Sequence, residues 1–401
     1  MDVLKLVSGP HAAIRLTQRL KAAGGDGSKL YPPTFEGGVY VFESRRIGGN
    51  SVKCVLLDGV ASAANRQEEA LAELIARGAI ELPHFVTDFS GIPEVGEVTT
   101  LTAPHRVFDA IFRDSELDGK PYPKSTLAVE LSRANTKNAT ALFEHAPSAL
   151  LFGAWDSTGA AGGLGNKFPR TIVTEIIGVN VERGETRGGI RQDPLAVSRY
   201  VEIEIDKNKD WKPKGLVDRS KKEKEDRAKG TRPSEVNHGN ILVTVEYENV
   251  GDVRYSKKGG ITCDYALQQS VISLTGLRRL RFPIGEDKKG NVKLDPKVDD
   301  AARAVLVALG LVALTASRDR GYALRSRCDL VPDGIAPFEV LGHDGSAQEE
   351  MMSAATAIEI YQETVKYAQK VGLPWEPKPT MMKPQPKLAK LVALSREAGA
   401  E

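Results

Sequence analysis

The sequence predicts a mixed α+β fold, and three stretches predict it. Residues 52–77 read as a strand, a short turn and a helix: Val52–Leu57 runs into DGVASAANRQEEALAELIAR, where Leu71, Leu74 and Ile75 have helical spacing. TIVTEIIGV, after Arg170, is rich in β-branched residues and reads as a strand buried on both faces. AVLVALGLVALTA, within residues 297–317, is apolar around its circumference, the pattern of a central buried helix. With 401 residues, one large core with insertions, or two lobes, is expected.

The other elements follow in order. Residues 12–22 suggest a helix, then a link rich in Gly and Pro leads to strand-like Val39–Glu43. At the start of the first long helix, Asn65 and Glu68 have the spacing of a capping box. The same geometry attracts phosphate, with Arg66 as a forked donor beside the helix N-terminus, and both readings stay open. Residues 82–124 read as an insertion, and a helix is expected from Ser125. Residues 180–200 place Arg183, Arg187, Arg191 and Arg199 among glycines with no apolar periodicity, and Val201–Ile205 alternates as a half-buried strand.

Residues 206–235 hold eleven Lys or Arg against seven Asp or Glu, the composition of a solvated loop. They lie between Val201–Ile205 and a strand expected over Ile241–Tyr247, which suggests an arm projecting from a sheet. A basic turn with Lys257 and Lys258 at its tip follows. Leu267, Val271, Leu274 and Leu277 fit one helix face ending in Arg278, Arg279 and Arg281, where cations suit the helix dipole. GYALRSRCDL reads as a strand, with Tyr322, Leu324, Cys328 and Leu330 on one face and Arg325 and Arg327 on the other. A last helix is expected over residues 347–371, then an extended tail, LPWEPKPTMMKPQPKLAK, with five prolines.

Composition narrows the function classes less than distribution does. A net charge of +2, from 55 basic and 53 acidic residues, gives no global signature of nucleic-acid binding. Cys54, Cys263 and Cys328 are an odd number without CxxC pairing, which favours free thiols in a reducing cytoplasm. MDVLKLVSGP lacks the features of a signal peptide, and the apolar run Ala304–Ala316 is shorter than the ~20 residues of a membrane span. The expectation is a cytoplasmic protein without membrane association.

The richest stretch is FGAWDSTGAAGGLGNKFPR, residues 152–170. Its glycines, Gly159, Gly162, Gly163 and Gly165, suit a backbone that takes unusual dihedrals or meets another backbone closely. Lys167 and Arg170 stand where such a loop would hold a polyanion. A nucleotide-binding phosphate loop needs Gly before the Lys and Ser or Thr after it, whereas Asn166 and Phe168 flank Lys167. That excludes the motif. His11, His84, His105, His145, His238 and His343 are scattered without metal-ligand spacing, and Asp156 is a lone acid, so no metal is expected. Ser157 with His145 and Asp156 lacks a nucleophile elbow, so no catalytic residue or cofactor is assigned. Cations spread over the chain, among them Arg66, Lys167, Arg170, Arg187, Arg191 and Arg278, suit a long single-stranded nucleic acid.

Four stretches carry a family resemblance: Ser62-Ala-Ala-Asn65-Arg66, FGAWDSTGAAGGLGNKFPR, NVERGETRGGIRQDPL and GYALRSRCDL. On these, the chain resembles the backbone subunit of type I CRISPR effector complexes in the type I-G (formerly I-U) variant, within the repeat-associated RNA-binding (RAMP) superfamily. The resemblance implies an RNA-recognition-motif-like (ferredoxin-like) palm over residues 1–332, with a fingers-like insertion at 82–124 and a thumb within 180–240. Residues 333–401 would be a C-terminal helix and Pro-rich tail. It implies a non-catalytic subunit of a Cascade-type antiviral complex. Copies would stack in a helical filament along the crRNA and present the guide for pairing with target DNA. The other implied partners are a large subunit, a repeat-end cap or processing subunit, and a recruited nuclease-helicase.

Carried over residue by residue, Asn65, Arg66, Lys167 and Arg170 would hold guide phosphates, with Trp155 or Phe168 under the loop or stacked on a base. Arg183, Arg187, Arg191, Lys257, Lys258, Arg278 and Arg279 complete the expected RNA-binding set. The rival reading is an endoribonuclease of the same superfamily that cleaves guide-bound RNA with a loop aspartate, Asp156 or Asp193. The central position of the glycine-rich loop departs from many superfamily members, which carry theirs near the C-terminus.

Overall fold

The structure is a computed structural model that describes residues 1–157, 165, 167–207, 209–216, 231–285 and 293–399. Met1–Ser28, Phe42–Asn180 and Cys263–Glu401 form one compact unit; Lys29–Val41 and Val181–Thr262 form a second.

In the first unit, α1 (Val3–Ser8) is capped by the Asp2 side chain and leads into β1 (His11–Ala22). Residues 12–22 are thus a strand, not a helix. Ile14, Leu16, Gln18 and Leu20 are buried while Arg19 and Lys21 are exposed, a period of two. Hairpin strands β2 (Phe42–Ile47) and β3 (Asn50–Asp58) are followed directly by α2 (Val60–Ala76). Residues 82–124 supply β4 (Phe85–Asp88), β5 (Glu97–Thr99), α3 (Ala110–Arg113), β6 (Ser115–Leu117) and β7 (Lys120–Pro121). As expected, α4 (Thr126–Arg133) begins beside Ser125, whose hydroxyl accepts from the Ala128 N–H. Short helices α5 (Thr140–His145) and α6 (Ser148–Phe152) lead to the hairpin β8 (Ala154–Trp155) and β9 (Lys167–Phe168). Strand β10 (Ile172–Arg183) is buried on both faces only over Ile176–Val179; Val173 stays exposed.

The second unit is built of two-stranded ribbons. β11 (Ile190–Arg191), β12 (Val201–Ile205), β13 (Trp211–Leu216), β14 (Ile241–Leu242), β15 (Tyr247–Val250) and β16 (Val253–Ser256) pair as β11–β14, β12–β13 and β15–β16. Two expectations change here. Val201–Ile205 pairs with Trp211–Leu216, which composition had assigned to the solvated loop, and Ile241–Leu242 pairs with Ile190–Arg191. Much of the basic arm, residues 217–230, lies outside the described residues.

The chain then forms β17 (Ile261–Ser273) and the single turn α7 (Leu274–Leu277), where one long helix face was expected. Leu267 and Val271 share a spacing of four, which fits a strand face as well as a helix face. The core helix α8 (Pro296–Asp319) is buried over almost its whole length. It is long and apolar enough to cross a membrane, with mean hydropathy 1.6, yet 89% of that window is buried inside the protein. β18 (Tyr322–Arg325) and β19 (Cys328–Pro332) make a hairpin, turned at Arg327 with φ 62°, so GYALRSRCDL is two strands. The expected burial of Tyr322, Leu324, Cys328 and Leu330 holds, because both strands turn the same face inward.

β20 (Phe338–Gly342) and β21 (Ala347–Glu350) form a further hairpin, and α9 starts later than expected, spanning Ala354–Lys370. The Pro-rich stretch is not an extended tail. It contains β22 (Thr380–Pro384), parallel to β4 and antiparallel to β6, followed by α10 (Pro386–Gly399). Its prolines flank the strand or end it, where no ladder N–H is needed.

The main sheet has the order β18-β19-β1-β17-β10-β3-β2, with β20 also on β1 and β21 on β20. Within it, β19-β1-β17-β10 with crossover helices α2 and α8 is the split βαβ arrangement of RNA-recognition-motif-like folds, extended by the β2–β3 hairpin. Both helices pack on one face: Gln67 of α2 donates to Thr174 Oγ1 at 2.8 Å, and Gly310 of α8 sits against Ile272. The expected α+β class with such a palm is the class observed.

Candidate nucleic-acid interface

The stretch FGAWDSTGAAGGLGNKFPR is a β-hairpin standing on the core. Ala154 pairs with Phe168 and Trp155 with Lys167; the tip, residues 158–164 with Asn166, lies outside the described residues. Phe168 is 4% exposed and anchors the base, whereas Trp155 is 44% exposed. The Lys167 ammonium lies 4.1 Å from the centre of the Trp155 ring, a cation on an aromatic face at the protein surface. Gly153 precedes the hairpin with φ +84°, and a Cβ there would come within 3.1 Å of the Phe168 carbonyl oxygen and the Arg170 nitrogen. A Cβ on Gly165 would fall 1.7 Å from the Asp156 carbonyl oxygen. These two glycines are there because the backbones meet.

Beside the hairpin is a cleft of about 600 Å³, lined by Pro104, His105, Arg106, Phe152–Trp155 and Lys167–Arg170. Arg106, which sequence reasoning missed, forms its floor. Its Nε and Nη2 donate to the two Glu68 carboxylate oxygens at 2.6 and 2.7 Å, and its Nη1 donates to the Gly153 carbonyl at 3.1 Å. Arg106 is 8% exposed and takes φ +52°; Glu68 is 2% exposed. Burial pushes the Glu68 carboxyl above its ordinary value, against the pull of Arg106 and Arg170. Arg170 donates to the Phe152 carbonyl at 3.1 Å, and burial, then the Arg106 cation, draw its pKa down. Lys167 and Arg170 beside an open cleft, with an exposed aromatic at the rim, are equipped to take phosphate and stack a base.

Residues 14–183 match the family model described as CRISPR-associated protein GSU0053. This segment is similar to a CRISPR-associated family. It runs from β1 to the end of β10 and contains the whole hairpin with Glu68 and Arg106. No protein of curated function matches the chain in sequence. Among solved structures, Csc2 of Thermofilum pendens is similar at 10% identity, covering 92% of this chain and 78% of that one, with a TM-score of 0.29. A score that low carries no further argument.

The other expected RNA-binding residues lie on α2, just after α7 and in the second unit. α2 begins at Val60 behind Gly59, so Asn65 is an exposed residue of its second turn rather than a cap, and Glu68 pairs with Arg106 instead. Arg66 is tied inward: its Nε donates to Asp58 at 3.1 Å, and Nη2 donates to the Leu324 carbonyl at 2.5 Å. Arg66 thus ties α2 to β3 and β18. Arg278 donates to the carbonyls of Leu6, Val7, Gly9 and His11, closing the C-terminus of α1. Its neighbour Arg279 is exposed.

In the second unit, Arg183 pairs with Glu248 and lies over the Tyr255 ring, and Lys257 donates to the Gly37 carbonyl at 3.2 Å. Arg187, Arg191 and Lys258 are exposed. Asp193 accepts N–H bonds from Leu195, Val197 and Gly239, which hold its pKa below the usual range. Asp156 lies beside a cavity of about 260 Å³ with Tyr122 and Val107. Among the described residues, no group of three or more His, Cys, Asp or Glu is placed to hold a metal.

Proposed function

We infer that the chain is a guide-RNA-binding backbone subunit of a CRISPR effector complex of the type I-G kind, and that it is not a catalyst. The observation that carries this reading is the Trp155–Lys167 hairpin over a cleft with Arg170 and Arg106, inside the segment matched by the CRISPR-associated family model. Lys167 and Arg170 contact guide phosphates and Trp155 supports a base. Copies of the chain line up along the crRNA in a cytoplasmic filament, and the guide pairs with target DNA. A large subunit, a repeat-end subunit and a recruited nuclease-helicase complete the antiviral complex.

The test is binding of the full chain to labelled single-stranded RNA over a salt series. Lys167→Ala with Arg170→Ala should weaken binding and flatten the log–log salt slope by about 0.7 for each lost phosphate contact. An unchanged slope would make the hairpin structural. The superfamily's ribonuclease reading is decided by incubating the RNA-loaded protein with labelled complementary RNA and Mg²⁺. Cleavage abolished by Asp156→Ala would replace the scaffold with an enzyme. Asp193, its oxygens taken by backbone N–H groups, is the weaker candidate.

A further inference from the structure

The cavity of about 260 Å³ beside Asp156 shares no lining residue with the cleft at the hairpin. It lies where the turns Arg106–Phe108 and Tyr122–Lys124 meet α4. The spacing of Ala128, Leu131 and Ser132 puts them on one face of α4, and that face forms a wall of the cavity. Val107, Phe108, Pro123 and Val129 make the lining mostly apolar. Val107 and Leu131 are buried, whereas Val129 is 39% exposed.

Tyr122 brings a polar group to this apolar lining. Its ring stands edge-on to Phe85 at 5.8 Å, and Phe85 stands edge-on to Phe112 at 5.9 Å, so the ring is fixed in the core. Tyr122 is 7% exposed, and among the described residues its hydroxyl has no hydrogen-bond partner. A tyrosine at this depth ordinarily has one. Burial first, and the Asp156 charge with it, push the Tyr122 pKa above its ordinary value, so the group meets a ligand as a neutral hydroxyl.

The charges of the lining favour a cation. Asp109 and Asp156 contribute two carboxylates against the guanidinium of Arg113, whose Nη2 already donates to Asp114 at 2.8 Å. The Asp109 oxygens accept the Ile111 and His105 N–H groups, each at 3.0 Å, which hold that carboxylate in place. A cavity of about 150 Å³ takes one benzene ring. The larger volume here has room for a ring on a short arm.

We propose that this cavity binds a small amine with an apolar body, such as an arylalkylamine, whose ammonium donates to the Tyr122 hydroxyl beside the Asp156 carboxylate. The apolar walls take the ring, and the acidic lining selects the amine over a neutral molecule of the same shape. The site is independent of whether the hairpin binds RNA.

The test titrates the full chain with 2-phenylethylamine, by calorimetry and by ligand-observed saturation-transfer NMR, with 2-phenylethanol as the neutral analogue. The amine should bind more tightly than the alcohol. Tyr122→Phe should weaken the amine by about tenfold or more, the loss of one hydrogen bond to a charged group. It should not lower the melting temperature, because the oxygen it removes has no partner in the protein. Asp156→Asn should bring the two compounds to within about twofold of each other. Val129→Trp, at a partly exposed wall position, should abolish binding of both by filling the cavity. No signal with millimolar amine, or an alcohol bound as tightly as the amine by the wild type, would overturn the proposal. So would amine affinity within about twofold of wild type in both Tyr122→Phe and Val129→Trp, which would put the binding elsewhere. None of these readouts involves RNA, so this proposal and the guide-RNA reading stand or fall separately.

Discussion

Arg106, which lines the cleft, and Glu68, its ion-pair partner, were not expected at the site. The pair joins α2 to the hairpin base through the Gly153 carbonyl, and both side chains are almost fully buried. Removing one partner leaves a lone buried charge, which costs far more than the pair itself contributes. Arg106→Ala should therefore lower stability by about 3–5 kcal/mol in urea unfolding, and adding Glu68→Ala should recover part of that loss. A single-variant loss below about 1 kcal/mol would show that water satisfies Glu68. Nothing in the sequence signals this contact. The residues are 38 positions apart, and Arg106 takes a left-handed backbone conformation unusual for a side chain of its size. That Lys167, Arg170 and Trp155 lie together was legible, because a cation-flanked glycine run with an aromatic is a local pattern. The internal hydrogen bonds of Arg66 and Arg278 were not legible, because a basic residue looks the same in sequence whether it faces solvent or a set of carbonyls.

At the scale of elements, the C-terminal strand is the largest change to expectation. β22 lies between β4 and β6, Met382 is 2% exposed, and Lys387 of α10 pairs with Asp114 at 2.6 Å. Arg113 first, and Lys387 with it, holds the Asp114 carboxyl below its usual range. A chain ending at residue 378 leaves both neighbouring strands with unpaired edges, so it should be markedly less stable or insoluble, whereas one ending at residue 385 keeps the strand and should melt close to wild type. Equal behaviour of the two truncations would return the segment to an unattached tail. Composition hid the strand because five prolines in a short stretch usually mean extended, unpaired chain. α4, α8 and β10 were legible, since a cap, an apolar circumference and β-branching act locally. β1 and β17 were not, because each mixes Ala, Leu and Gln, and burial against α2 and α8 decides their conformation.

For the whole molecule, the α+β class was readable from a few strong elements, whereas strand order was not, because it depends on pairings across the full chain. β1, near the N-terminus, sits between β19 and β17, more than 230 positions away in sequence. At this scale the central claim is the proposal that the protein holds single-stranded RNA. The direct measurement is co-expression of the chain with a CRISPR array and its partner subunits, followed by size analysis of the purified assembly and sequencing of its RNA. Several copies per assembly with RNA of guide length derived from the array is the predicted result. A discrete monomer free of such RNA would contradict it.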